Sequence, residues 1–353
     1  MINAEIKTEL KPREHHIDLM RGLCLISVIL IHTAFHSGAS YSPPLMRELV
    51  LLFDVPVFFF LTGCTFSIHP KIDPLKQMLK LITLFFIAAI VGQLLVGKFT
   101  MYGTITPLAL YSTKIEHFSS FSSSYWFVPV YVVTLLYSTI IINYCKKYVK
   151  YVLLILIPIY YIYSFLSGEL LNFFVLGYKV QIVMFYIWLM LLGYCVWGKD
   201  KKCNVIIYSC IFIFSLAYFV YNLTAPNGVS MQTSKFTLSL PYAIASMASI
   251  AFVMLTKNKF RNSFLEKIGS RAIYFYLSQC VGASVLFWIV PHIDLFWAFK
   301  FLICFSINLV ISLSLGFLFY FIDDNFSNFI VLLRGKIECL KKLKQNGSKL
   351  RKQ

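Results

Sequence analysis

Charge is scarce in this chain. Asp, Glu, Lys and Arg make up 13% of its 353 residues, and only 15 of them are acidic. A soluble domain is about 25% charged and about 45–50% apolar. Here 59% of residues are hydrophobic and the mean hydropathy is +0.74, so the chain lacks the polar surface needed to face water on all sides. Several chemical signatures are missing too. There is no Gly-x-Ser-x-Gly, no His-Glu-x-x-His and no paired Cys-x-x-Cys, which removes linear support for a hydrolase nucleophile elbow or a cysteine metal site. No loop has the length of a separate soluble domain, since the longest spans 98 to 124.

What is present is a series of apolar runs. A helix needs roughly 20 apolar residues to cross a bilayer about 30 Å thick, and ten runs qualify, near 17–36, 48–68, 77–97, 126–144, 151–166, 180–197, 204–222, 236–256, 271–290 and 295–322. The shortest, 151–166, reads either as a span or as a re-entrant segment. The fold class expected is all-α, a polytopic membrane helical bundle of about ten spans.

The net charge of +17 would in a soluble protein suggest nucleic acid. Its distribution says otherwise. With the N-terminus cytoplasmic, 26 of the 32 Lys and Arg fall in inner segments and six, Arg47, Lys98, Lys114, Lys179, Lys235 and Lys300, in outer ones. Under the positive-inside rule this places both termini in the cytoplasm and favours an even span count. The first apolar run is full-length, follows a polar lead, and has no small-residue cleavage site, so it is expected to be retained. None of the nine cysteines falls in a predicted outer loop, which argues against a disulfide framework.

Ionisable groups within spans are costly and mark functional sites. In the first run, Asp18 and Arg21 are spaced for pairing on one helix face. Arg21 and His32 lie 11 residues apart, about 20° in rotation and about 16 Å in rise, and His36 continues that face. Such a stripe suits a path through the membrane; the alternative is a snorkelling arginine and a histidine bonded to a neighbouring helix. Asp54 in the second run is predicted at a depth comparable to His32, where it orients an imidazole, binds a sugar hydroxyl or caps a helix. Glu116 and His117 precede an aromatic- and serine-rich stretch that includes Trp126, a composition that fits either a carbohydrate acceptor or an interfacial belt. Gly92 to Phe99 falls one residue short of a phosphate loop, because Phe99 replaces the Ser or Thr that holds magnesium.

Four stretches taken together resemble the integral-membrane acyltransferase family 3. They are Ile17 to Gly22 with His32 ten residues beyond Arg21, Asp54 to Gly63, Tyr125 to Pro129, and Ile268 to Leu277. The resemblance implies transfer of an acyl group, usually acetyl, from cytoplasmic acetyl-CoA to a hydroxyl of a cell-surface polysaccharide or lipid-linked glycan. His32 takes the place of the family's essential histidine and Arg21 that of its basic partner, with Asp18 orienting. Two departures stand out: Gln77 and Lys80 occupy the places of two arginines that often open the third span, and Gln279 replaces a frequent histidine.

On this reading residues 1–325 form the acyltransferase transmembrane domain and 326–353 a basic cytoplasmic tail suited to the anionic inner leaflet. Arg21, Lys76 and Lys80 are expected to bind the donor, and Asp54, Glu116, His117 and Trp126 the acceptor, with His32 as base or acyl relay. No metal and no nucleic acid are expected, and the location implied is a bacterial inner membrane. The rival reading is a transporter or flippase for a glycan or lipid-linked intermediate.

Overall fold

The computed structural model describes residues 14–36, 41–69, 73–96, 99–109, 125–167, 174–175, 178–198 and 202–350. Each predicted apolar run is helical there over most of its length, as expected where no water satisfies the backbone. The helices are α1 (His15–His36), α2 (Pro44–Val50), α3 (Pro56–Ile68), α4 (Pro74–Val96), α5 (Met101–Ile105) and α6 (Phe127–Tyr144). They continue with α7 (Val149–Ser167), α8 (Val180–Val196), α9 (Lys202–Thr224), α10 (Met231–Thr237), α11 (Leu240–Leu255), α12 (Ser263–Gly269), α13 (Ala272–Ile289) and α14 (Trp297–Leu350). A two-residue antiparallel pair, β1 (Phe174–Val175) with β2 (Tyr178–Lys179), precedes α8.

Among the described residues, six helices are long and apolar enough to cross a membrane, and a seventh is gained if α10 and α11 count as one bent span. The apolar stretches of α3, α7 and α8 are shorter. Residues 151–166 belong to one helix, α7, with Pro158 inside it. No break marks the 325/326 boundary, since α14 runs through it.

Two runs expected to be continuous are broken. In 48–68 the helix stops after Val50 and resumes at Pro56, because proline has no N–H for the preceding turn and its ring clashes with the carbonyl four residues back. In 236–256, Leu238 adopts a left-handed φ of 52°, Pro241 sits in the first turn of the next helix, and α10 and α11 meet at 100°.

The bundle is centred on α1 and α3. On α3, Val57, Phe59, Phe60, Leu61 and Cys64 are completely buried. Its crossing with α8 is close because glycines face each other: a Cβ on Gly63 would fall on the Met190 carbonyl, and one on Gly193 on the Phe60 carbonyl. The same device joins α1 to α12, where Gly22 meets the Leu265 carbonyl and Gly269 that of Asp18. Small residues let backbones approach in this way in lipid. Polar links add to it, with Asn308 Nδ2 of α14 donating to Thr33 Oγ1 of α1 at 3.0 Å. Outward faces of α9 and α14 carry exposed Ile206, Phe214, Phe299, Val310 and Phe321, the surface expected of lipid-facing helices.

Candidate active site

The polar face of α1 meets two different neighbours. Near its start, Arg21 donates to Thr65 Oγ1 of α3 at 2.9 Å and lies 3.9 Å from Asp18. Toward its end, His32 is buried and its Nδ1 hydrogen-bonds Gln279 Oε1 of α13. The Gln279 amide is oriented by its other atom, since Nε2 donates to Cys280 Sγ at 3.0 Å. With Oε1 as the acceptor, the ring hydrogen of His32 is assigned to Nδ1 and Nε2 is the basic nitrogen.

A cavity of about 260 Å³ opens between α1, α3, α4, α6 and α13. Its mouth holds Arg21, Gln77, Lys80, Gly269 and Ser270, and its far end Phe58, Phe127 and Tyr276. Lys80 is paired with Asp323 of α14 at 3.2 Å, and the Tyr274 hydroxyl donates to the same carboxylate at 2.5 Å. The cavity is therefore cationic at one end and aromatic at the other. Tyr276 lines it and Gln279 follows three residues on, so the His32–Gln279 contact lies about one turn beyond the far end.

Asp54 occupies the unwound segment between α2 and α3, four residues before Phe58 in sequence. Its Oδ2 accepts from Lys235 Nζ at 2.6 Å and from the Tyr242 hydroxyl at 3.1 Å. Both charged side chains are deeply buried, at 6% and 2% exposure for Lys235 and Asp54. The Lys235 ammonium also sits 5.2 Å from the centre of the Trp126 ring. The depth predicted for Asp54 is corrected here. Cys24 Sγ of α1 donates to the Asp54 backbone carbonyl at 3.4 Å, and Cys24 precedes His32 by eight residues, about 12 Å along the helix. The carboxylate does not cap α3 either, whose first residue follows Val55 with no side-chain cap.

Of the residues singled out from sequence, Asp18, Arg21 and Lys80 gather at the cavity mouth, His32 lies past its far end, and Asp54 and Trp126 meet through Lys235. Lys76 is exposed and does not line the cavity; its backbone N–H bonds Asp73. Glu116 and His117 lie outside the described residues. Sequence reasoning missed Lys235, Tyr242 and Thr65. For Lys235 the usable signal was its place just before the Leu-Ser-Leu-Pro break. Among the described residues no group of three or more His, Cys, Asp or Glu is placed to hold a metal.

The family described as an acyltransferase domain matches residues 14–322, which takes in the described residues of this site except Asp323. No curated protein and no solved structure matches the chain.

Proposed function

The chain belongs to the acyltransferase family 3, and on that premise we propose that it moves an acetyl group from cytoplasmic acetyl-CoA to a hydroxyl of a cell-surface polysaccharide or lipid-linked glycan. The observation that carries this reading is the cavity whose mouth presents Arg21 and Lys80 and whose far end lies about a turn from His32. Coenzyme A is polyanionic at its nucleotide end and slender at its thiol end. The guanidinium fork of Arg21 suits phosphate, and the aromatic end of the cavity suits the acyl-bearing arm.

Chemistry then follows from the His32 tautomer. A sugar hydroxyl is a poor nucleophile, and imidazole, with an ordinary pKa near 6.5, is a suitable general base. Nε2 takes the hydroxyl proton as the oxygen attacks the thioester carbonyl carbon. The C–S bond breaks, an O-acetyl ester forms, and the imidazolium returns its proton to the departing thiolate. Gln279 holds the ring for this exchange, and Asp18 steadies Arg21.

The same reading places ten crossings in a bacterial inner membrane, with both ends cytoplasmic and the basic end of α14 against anionic lipid. It is supported by the 26 to 6 division of positive residues. Donor and acceptor would then reach the reaction from opposite sides.

The test is His32→Ala at equal expression, with O-acetyl groups on surface polysaccharide measured by NMR. Loss of the acetyl signal is expected; unchanged acetylation overturns the assignment. The two broken segments, α2–α3 and α10–α11, favour a transporter as the second reading, because discontinuous helices build transport sites. Purified protein in detergent separates the two, since transfer of labelled acetyl to an added glycoside there excludes transport alone.

A further inference from the structure

Asp54 and Lys235 form an ion pair that an apolar pair of similar size could replace without loss of stability, because burying two charges costs about as much as their attraction returns. Charges kept at membrane depth mark function. This pair also sits where the backbone is least regular, Asp54 in the gap between α2 and α3 and Lys235 in the last turn of α10 before the Leu238 break. Unwound backbone at such depth is tolerated where it is enclosed by protein or lines a site.

The pair has unspent hydrogen-bonding capacity. Asp54 Oδ2 takes both hydrogen bonds described for the carboxylate, while among the described residues Oδ1 receives none. An ammonium has three donors, of which Lys235 gives one to Asp54 and turns toward the Trp126 ring. Beside them, the Ser234 hydroxyl is buried without a hydrogen-bond partner among the described residues, and the Tyr186 hydroxyl meets that of Tyr242. Tyr186 stands 6.1 Å from Trp126, ring to ring, and Ser234 adjoins Lys235. Trp126 itself is only half-buried and reaches the exposed Phe236 at 5.5 Å, so the cluster has an open aromatic edge.

Spare donors beside a spare acceptor, with an aromatic face alongside, match a group that both donates and accepts and has an apolar face. We propose that Asp54, Lys235 and Trp126 bind the glycosyl acceptor, and that they select a neutral sugar over an acidic one. One sugar hydroxyl accepts from Lys235 Nζ, a neighbouring one donates to Asp54 Oδ1, and the C–H face of the ring lies on Trp126. Charge sets the selectivity. The pair sums to zero, so a neutral sugar enters without changing the balance, whereas a carboxylate or phosphate would leave an uncompensated negative charge in a low-dielectric site. The inference rests on the acyltransferase reading for the role of acceptor, and on the cluster alone for binding.

The experiment measures saturable binding of tritiated octyl β-D-glucoside and octyl β-D-glucuronide to the full chain in phosphatidylcholine nanodiscs, with empty discs subtracted. The glucoside is expected to bind at least ten-fold more tightly than the glucuronide. The double variant Asp54→Asn, Lys235→Met leaves no uncompensated charge buried, and is expected to lose glucoside binding ten-fold or more while its melting temperature stays close to that of the parent. Should that variant fail to fold, Trp126→Phe is the second measurement, with a loss of at least three-fold expected. Equal binding of the two glycosides, no saturable binding of either, or parent-like binding by the folded variant overturns the proposal. His32→Ala distinguishes the two readings. Expected are parental glucoside binding and no acetyl transfer; transfer that persists with selective binding overturns the role of His32 and leaves the acceptor site standing.

Discussion

His32 of α1 and Gln279 of α13 share one hydrogen bond, imidazole Nδ1 to amide Oε1, across two helices that are 247 residues apart in sequence at this contact. A neutral amide fixes the tautomer without adding the charge that would raise the basicity of the ring. A carboxylate in its place would favour the imidazolium.

Gln279→Glu is therefore expected to move the acid limb of the kcat profile to higher pH, and Gln279→Ala to lower kcat about ten-fold, the value of one hydrogen bond of about 1 kcal/mol or slightly more. The KM for acetyl-CoA should stay constant in both. Steady-state rates across a pH series check this; a profile unmoved by Gln279→Glu removes Gln279 from the positioning of His32.

Donor binding at the cavity mouth depends on Arg21, which donates to Thr65. Lysine keeps the charge and loses the fork. Arg21→Lys is expected to raise the KM for acetyl-CoA about ten-fold with a smaller change in kcat, the mark of an interaction made equally in ground and transition states. Kinetics with the acceptor saturating measure it.

The α3–α8 crossing sets a stability prediction. A Cβ at Gly63 would meet the Met190 carbonyl, a backbone atom that cannot swing aside. Gly63→Ala is expected to destabilise the bundle by about 1–3 kcal/mol, the usual range for overpacking, whereas alanine at Gly198, which has open space but a φ of +78°, strains only its own turn. Thermal unfolding in detergent compares the two.

Acid sensitivity is expected at α12. Burial pushes the Glu266 carboxyl up, but the His15 hydrogen bond at 2.7 Å and the Arg261 charge outweigh it and hold it below the usual carboxylate value. A carboxyl lowered on folding contributes stability above its unfolded pKa, about 4.3 for Glu, and loses it as pH falls through the folded value. The α1–α12 contact should therefore hold at neutral pH and weaken below about pH 4. Glu266→Gln should remove that pH dependence, as read from melts at about pH 6 and about pH 3.5, bracketing the unfolded value. A parental acid response in Glu266→Gln assigns the sensitivity to other groups.

Helical state was legible because it follows from local chemistry. Runs such as 126–144 and 204–222 are mostly apolar, hold no charged residue, and appear as α6 and α9 within two residues at each end. Arg21 and His32 were found for the same reason, as ionisable groups in an apolar helix. The breaks were harder to read. Pro56 and Pro241 were visible, yet whether a proline kinks a helix or ends it depends on which neighbours take up the released backbone groups. At the first break, Leu52 and Asp54 carbonyls accept from Ser249 and Cys24, far away in sequence.

The sequence by itself determined a basic, apolar, helical membrane chain and the motif that places it among acyltransferases, because apolar content, charge asymmetry and spacing along one helix are properties of consecutive residues. Only the tertiary structure decided what those residues touch. It turned Lys235, one of six positive residues outside the basic majority, into the buried partner of Asp54. It also gave His32 an amide rather than Asp54 as neighbour. Such contacts join residues more than 180 positions apart, and helix packing fixes them, through glycine crossings and broken spans that no local pattern encodes.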